Sequence, residues 1–128
     1  MAAILQTEQL LSLRVLGFLY LRLGAWDRAA RLFQALTRLF PDDIEIARSL
    51  AAAELEAGNA ERALALLSAP PLNMLTSDPA SLLLKARAHW RLSQSEAAFA
   101  VMDEYLASLA ANAAVNPATN PERKGKEA

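Results

Sequence analysis

Apolar residues recur along this chain every three or four positions, the spacing of helices, and nowhere settle into the strict alternation of a half-buried strand. On that pattern helices are expected near Thr7 to Leu23, Ala25 to Phe40, Asp42 to Ala57, Ala60 to Ser68, Pro79 to Leu92 and Gln94 to Ala110. The fifth has the clearest start. Asp78 precedes Pro79, and a capping carboxylate followed by a first-turn proline fits a position whose backbone amide has no helical partner anyway. The first is apolar on almost every side: Leu10, Leu11, Leu13, Val15, Leu16, Phe18, Leu19, Tyr20, Leu21 and Leu23 cover nearly its whole circumference. A helix packed on one side needs only a stripe, so its second face calls for a cover: a bound partner, the sixth helix or a second copy. Arg14 and Arg22 interrupt the run, which leaves it too short to span a bilayer; it is read as a core helix and not a targeting segment.

The helices come in pairs that repeat. Arg22-Leu23-Gly24-Ala25-Trp26-Asp27-Arg28-Ala29 returns as Glu56-Ala57-Gly58-Asn59-Ala60-Glu61-Arg62-Ala63, 34 positions on, and again as Arg91-Leu92-Ser93-Gln94-Ser95-Glu96-Ala97-Ala98 after another 35. In each copy a small residue ends one helix, an acidic residue follows in the first turn of the next, and alanine sits where two helices approach closely. The first copy resembles the tetratricopeptide repeat. Leu16, Gly17 and Tyr20 fall at packing positions of its first helix, Gly24 at the turn, Trp26, Ala29 and Phe33 on its second helix, and Pro41 at the end. The second keeps Leu50, Ala51, Gly58, Ala63 and Leu67, but has Glu54 at the aromatic position and Pro70-Pro71 cutting its second helix short. The third keeps Ala86, Ala98 and Met102, with Lys85 and His89 as departures. The expected fold is all-α, about three helix-turn-helix repeats in a short right-handed superhelix over residues 1–111. Residues 112–128, rich in Asn, Pro and charge, are expected to form a flexible tail.

Composition narrows the functions. With 13 basic and 14 acidic residues and a net charge of −1, no general field favours nucleic acid. The absence of cysteine excludes disulfides and thiolate metal sites and fits a cytoplasmic location. His89, the single histidine, lies at a packing position, and Asp42-Asp43 more simply begins a helix than binds a metal. The four glycines form no phosphate-cradling pattern. The chain is therefore expected to be no enzyme and to hold no cofactor or metal.

In stacked helix pairs the first helix of each pair lines the inner surface. Those positions are Leu11, Arg14, Phe18, Leu21 and Arg22 in the first repeat, and Glu45, Arg48, Ala52, Leu55 and Glu56 in the second. The third contributes Ala80, Leu83, Arg87, Trp90 and Arg91. Large apolar and aromatic residues there have no use in a merely solvated groove, and Arg14, Arg48 and Arg87 are candidates to hold a partner's carboxylates by paired hydrogen bonds. Leu11, Arg14, Phe18, Leu21, Arg48, Ala52, Leu55, Leu83, Arg87, Trp90 and Arg91 are the candidate partner-binding residues.

The stretch Leu16-Gly17-Phe18-Leu19-Tyr20-Leu21-Arg22-Leu23-Gly24, with Arg28-Ala29-Ala30, Leu36, Leu39 and Pro41, resembles the small tetratricopeptide chaperones of bacterial type III secretion, and within them the YscY (SctY) group. Ala86-Arg87-Ala88 through Tyr105-Leu106 resembles that group's C-terminal helices in spacing. The resemblance implies a bacterial cytoplasmic chaperone that binds one secreted component (YscX or SctX), keeps it soluble and brings it to the inner-membrane export gate, where an SctV-like cytoplasmic domain receives it. It implies no membrane insertion. Related chaperones serve needle or translocator subunits, and a general tetratricopeptide adaptor or homodimeric scaffold is the alternative of another class.

Overall fold

The computed structural model describes residues 7–75 and 78–115. Six α-helices follow one another among them: α1 (Thr7–Arg22), α2 (Trp26–Leu39), α3 (Ile44–Glu56), α4 (Ala60–Leu67), α5 (Pro79–Arg91) and α6 (Ser95–Val115), with a 3₁₀ turn at Leu72–Met74 between α4 and α5. Their bounds agree with the sequence expectation to within one or two residues, except that α6 runs on to Val115, where alanines carry good helix propensity past Ala110. The expected tail from Asn112 thus begins inside α6, and residues 116–128 lie outside the described part.

Each helix pair turns in the same way. Gly24 and Gly58 adopt positive φ (76° and 94°), and Ser93 follows at 60°. The amide after each turn residue reaches back five positions, Ala25 to the Tyr20 carbonyl, Asn59 to Glu54 and Gln94 to His89, at 2.8–2.9 Å. This is the six-to-one bond of a Schellman cap, which closes carbonyls the helix end would otherwise leave open. The repeats seen in the sequence are therefore repeats of one backbone event. His89 reinforces the third turn, its Nδ1 lying 2.7 Å from Gln94 Oε1.

Packing proceeds from pair to pair. Phe33, Leu36, Ala29 and Ala30 of α2 close on Ile46, Leu50 and Ala53 of α3. Ala47, Ala51 and Leu55 of α3 close on Ala60, Ala63 and Leu67 of α4 and on Leu84 and Ala88 of α5. Leu82 and Ala86 of α5 meet Val101, Met102 and Tyr105 of α6. Pro70-Pro71 does end α4 early, and buried Leu72 of the 3₁₀ turn packs into the α3–α4–α5 cluster beyond its last turn. Alanine at the contacts lets the helices approach closely enough for larger side chains to interlock beside them.

Glu54, the departure at the aromatic position of the second repeat, is 2 % exposed. Its carboxylate accepts from Gln34 Nε2 at 3.1 Å and Asn59 Nδ2 at 2.9 Å, with Arg62 Nε at 3.9 Å. It ties α2 and the α3–α4 turn to α3 with both oxygens used, as a buried charge requires. Glu54→Ala leaves Gln34 without its acceptor, and urea unfolding should show a loss of about 1–3 kcal/mol.

Candidate functional site: an inner face stitched by ion pairs

The first helices of the three pairs, α1, α3 and α5, are joined by a ladder of arginine–carboxylate contacts. Arg14 of α1 pairs with Glu45 and lies 3.9 Å from Asp43 at the start of α3. Arg48 of α3 donates to Asp78 Oδ2, the cap of α5, at 2.6 Å. Near the other end of α3, Glu56 takes both Arg87 and, at 3.5 Å, Arg91 of α5, while Arg91 also donates to the Leu55 carbonyl. Arg14–Glu45 and Glu56–Arg87 both span 31 positions, slightly less than one repeat.

The ladder changes the reading of the arginines. Arg14, Arg48 and Arg87 are the arginines the sequence offers to a partner's carboxylates, but each of them, and inner-face Arg91 as well, already holds a carboxylate of this chain. They lock the angle between successive helix pairs, because the carboxylates lie at the start of each following first helix or at the end of the preceding one. Leu55 requires a firmer correction: it is 0 % exposed and belongs to the core between α3, α4 and α5. Being the middle first helix, α3 is flanked on both sides, which turns into core a position that a terminal helix leaves open.

Asp78 is the best-defined joint of the ladder. Its carboxylate caps α5 by accepting from the Ser81 amide at 3.2 Å and the Ser81 hydroxyl at 2.7 Å, besides Arg48. Partial burial raises its pKa, but the Ser81 hydroxyl, the hydrogen bond and charge of Arg48 and the Ser81 amide outweigh it, and the net direction is downward from 3.8. A carboxyl with a depressed folded pKa contributes stability in full above its unfolded value, and that contribution is lost as pH falls through the folded one. Acid unfolding below about pH 4 should therefore flatten in Asp78→Asn, at the cost of lower stability at neutral pH.

With the charges satisfied, the apolar positions stand out. Trp90 is 59 % exposed and tilts against Phe99 of α6 with ring centroids 6.0 Å apart. Around them Ala86, Arg87, Arg91, Ala98 and Met102 line an open pocket of about 290 Å³. At the other end Leu11 is exposed, and Phe18 is 46 % exposed with its ring 5.9 Å from that of buried Phe33. Leu21, Ala52 and Leu83 are half-buried between these ends. Phe99 and Met102 are not among the sequence candidates, which come only from the first helix of each pair; their signal is the spacing Phe99, Met102, Leu106, Leu109 along one side of α6. Among the described residues no group of His, Cys, Asp and Glu is placed to hold a metal, and no helix is long and apolar enough to cross a membrane.

Paired helices with Schellman turns, closing through alanine contacts and presenting their first helices on one face, define a helical-hairpin repeat scaffold. The tetratricopeptide repeat family model matches residues 20–88, more than half of the chain, and the chain belongs to that family, one of scaffolds and not of enzymes. Among solved structures it is similar to the crystal structure of PcrH in complex with the chaperone binding region of PopD, at 27 % identity and a TM-score of 0.76, over 94 % of this chain and 84 % of that one. A comparison with curated proteins finds no match.

Proposed function

We propose that this protein is a type III secretion chaperone of the bacterial cytoplasm whose inner face holds an apolar segment of a translocator-type secreted protein. The observation that carries the reading is the likeness, across nearly the whole chain, to a chaperone captured with its client's binding segment. The exposed aromatics at both ends of the inner face add to it, since a client segment that folds on binding buries its own apolar residues against them. The sequence resemblance to the YscY group favoured a YscX-like client; the PcrH likeness favours a translocator-type one, with hand-over to the export gate unchanged. The inner-face arginines then act by holding the groove's shape, and the contact with client is mainly apolar.

The test is co-expression of the full chain with a translocator-type protein and, separately, with a YscX-like protein from the same genome. A stoichiometric soluble complex with the first alone is expected. A complex with the second alone overturns the choice of client, and no complex with either overturns the chaperone reading.

A further inference from the structure

Helix α2 buries Ala29, Ala30, Phe33 and Leu36 and leaves its opposite side open to water. At about 100° per residue, Arg28, Arg31 and Arg38 share an arc of about 80° on that open side, along about 15 Å of helix. All three are exposed, and none has an ion-pair partner among the described residues, in contrast to the arginines of the inner face. Arg28 and Arg31 also line an open cleft of about 320 Å³ with half-buried Trp26, with Asp27, and with Ala57 from just past the end of α3. Solubility alone does not call for such a stripe. The same register holds Arg62, Ala65 and Leu72 in the second pair and Ala97, Ala100 and Ala107 in the third, where Ala100 and Ala107 face water without any charge.

We propose that the open side of α2 is a second docking surface, which takes an acidic segment of a partner polypeptide, one carboxylate held between Arg28 and Arg31 in the cleft beside Trp26 and another at Arg38. Guanidinium groups are planar forks that hold carboxylates by paired hydrogen bonds, and these three have none of this chain's to hold. The extent and sign of the patch select the partner. Three arginines against Asp27 leave a surplus of positive charge on α2, whereas α6 carries Glu96, Asp103 and Glu104 and no basic residue. A membrane surface or a nucleic-acid duplex is broad and uniformly negative, so in a chain of net charge −1 it is repelled by those acids while the arginines attract it. A short acidic segment meets the stripe alone. The cleft points the same way, because a concave site seats one protruding side chain and not a flat surface. This surface shares no residue with the inner face, so it is independent of the client reading and stays accessible when a client is bound.

The probe is a fluorescein-labelled peptide of about twelve residues, a length that spans the stripe, with glutamates on both sides of a leucine; its control has glutamine in place of every glutamate. Fluorescence anisotropy at low ionic strength should show the full chain binding the acidic peptide with a Kd of roughly 10–100 µM and the control peptide not at all, and added salt should weaken the binding. Arg28→Gln combined with Arg31→Gln should weaken it roughly tenfold, with helix content and client binding unchanged. Ala100→Glu combined with Ala107→Glu changes the net charge by the same amount on exposed positions of α6 and should have less than about a twofold effect. In a Trp90→Phe chain Trp26 is the remaining tryptophan, and its emission should shift when the peptide binds. A wild-type chain that leaves the peptide free at about 300 µM overturns the proposal. So does equal capture by the Arg28→Gln/Arg31→Gln chain, an equal loss in the Ala100→Glu/Ala107→Glu chain, or a Trp26 emission that does not move. Tighter capture of phosphatidylglycerol-containing vesicles or of a short DNA duplex than of the peptide overturns the choice of a polypeptide partner.

Discussion

Gly17→Val should be among the most destabilising single changes in the first repeat, lowering stability by about 2–4 kcal/mol and the melting temperature by roughly 10 °C. A Cβ built on Gly17 falls 2.4 Å from Phe33 Cζ and within 3.0 Å of both Cε atoms, separations that real carbon contacts do not reach. The ring cannot step aside, because Phe33 is buried among Leu36, Ile46, Leu50 and Ala53 and carries Phe18 on its outer side. Gly17 is also the one residue of α1 that is fully buried; the rest of its packed side, Leu10, Leu13, Tyr20 and Leu21, is half-buried. The helix is thus held by a close approach at a single point, and a branched side chain there should lift α1 off α2 before it deforms the core. Thermal melting with limited proteolysis tests this, with cleavage confined to α1 at temperatures where α3 to α6 stay protected. Gly17→Ala should be milder, since alanine's helix propensity returns about 1 kcal/mol. An unchanged melting point in Gly17→Val would show that Phe33 has another place to go.

Trp90→Ala should cost at least about 2 kcal/mol of client binding, a weakening of roughly 30-fold, while leaving folding nearly untouched. The reason for the separation is that Trp90 stabilises little in the free protein. More than half of its surface is in water, and its main neighbour, Phe99, is 60 % exposed as well. A client's apolar side chain seated in the pocket between them would remove both rings from water at once, and aromatic area withdrawn in this way dominates interface energies. Met74→Ala is the control: Met74 is equally apolar and even more exposed, but it sits on the 3₁₀ turn away from the pocket and should have no effect. Titration of the purified client segment against the three proteins measures the difference. Equal affinity for Trp90→Ala and the parent would place the client elsewhere.

How far the sequence could be read depended on the distance over which each feature is decided. The turn at Gly24, its return at Gly58 and its third form at Ser93 were all visible, because a Schellman cap is built within six residues. Asp78 was visible as a cap for the same reason. The inner-face arginines were visible as a recurring charge, but not their partners. Glu45 and Glu56 had been placed on the same face, yet nothing local says whether an arginine there meets its own chain's acid about one repeat away or a stranger's. Leu55 was misread by the same gap: one repeat away in either direction its register holds half-buried Leu21 and exposed Trp90, and only the stacking of α5 on α3 covers it.

From its residues alone this chain specified an all-α array of three hairpins, since helix period, caps and turn glycines act over one or two turns of backbone. Which inner-face residues remain open, and which arginines are spent on carboxylates of a neighbouring pair, were settled only when the hairpins stacked. Those outcomes depend on the rotation between neighbouring pairs, and that rotation is set by side chains thirty or more residues apart fitting together, a quantity no local pattern contains.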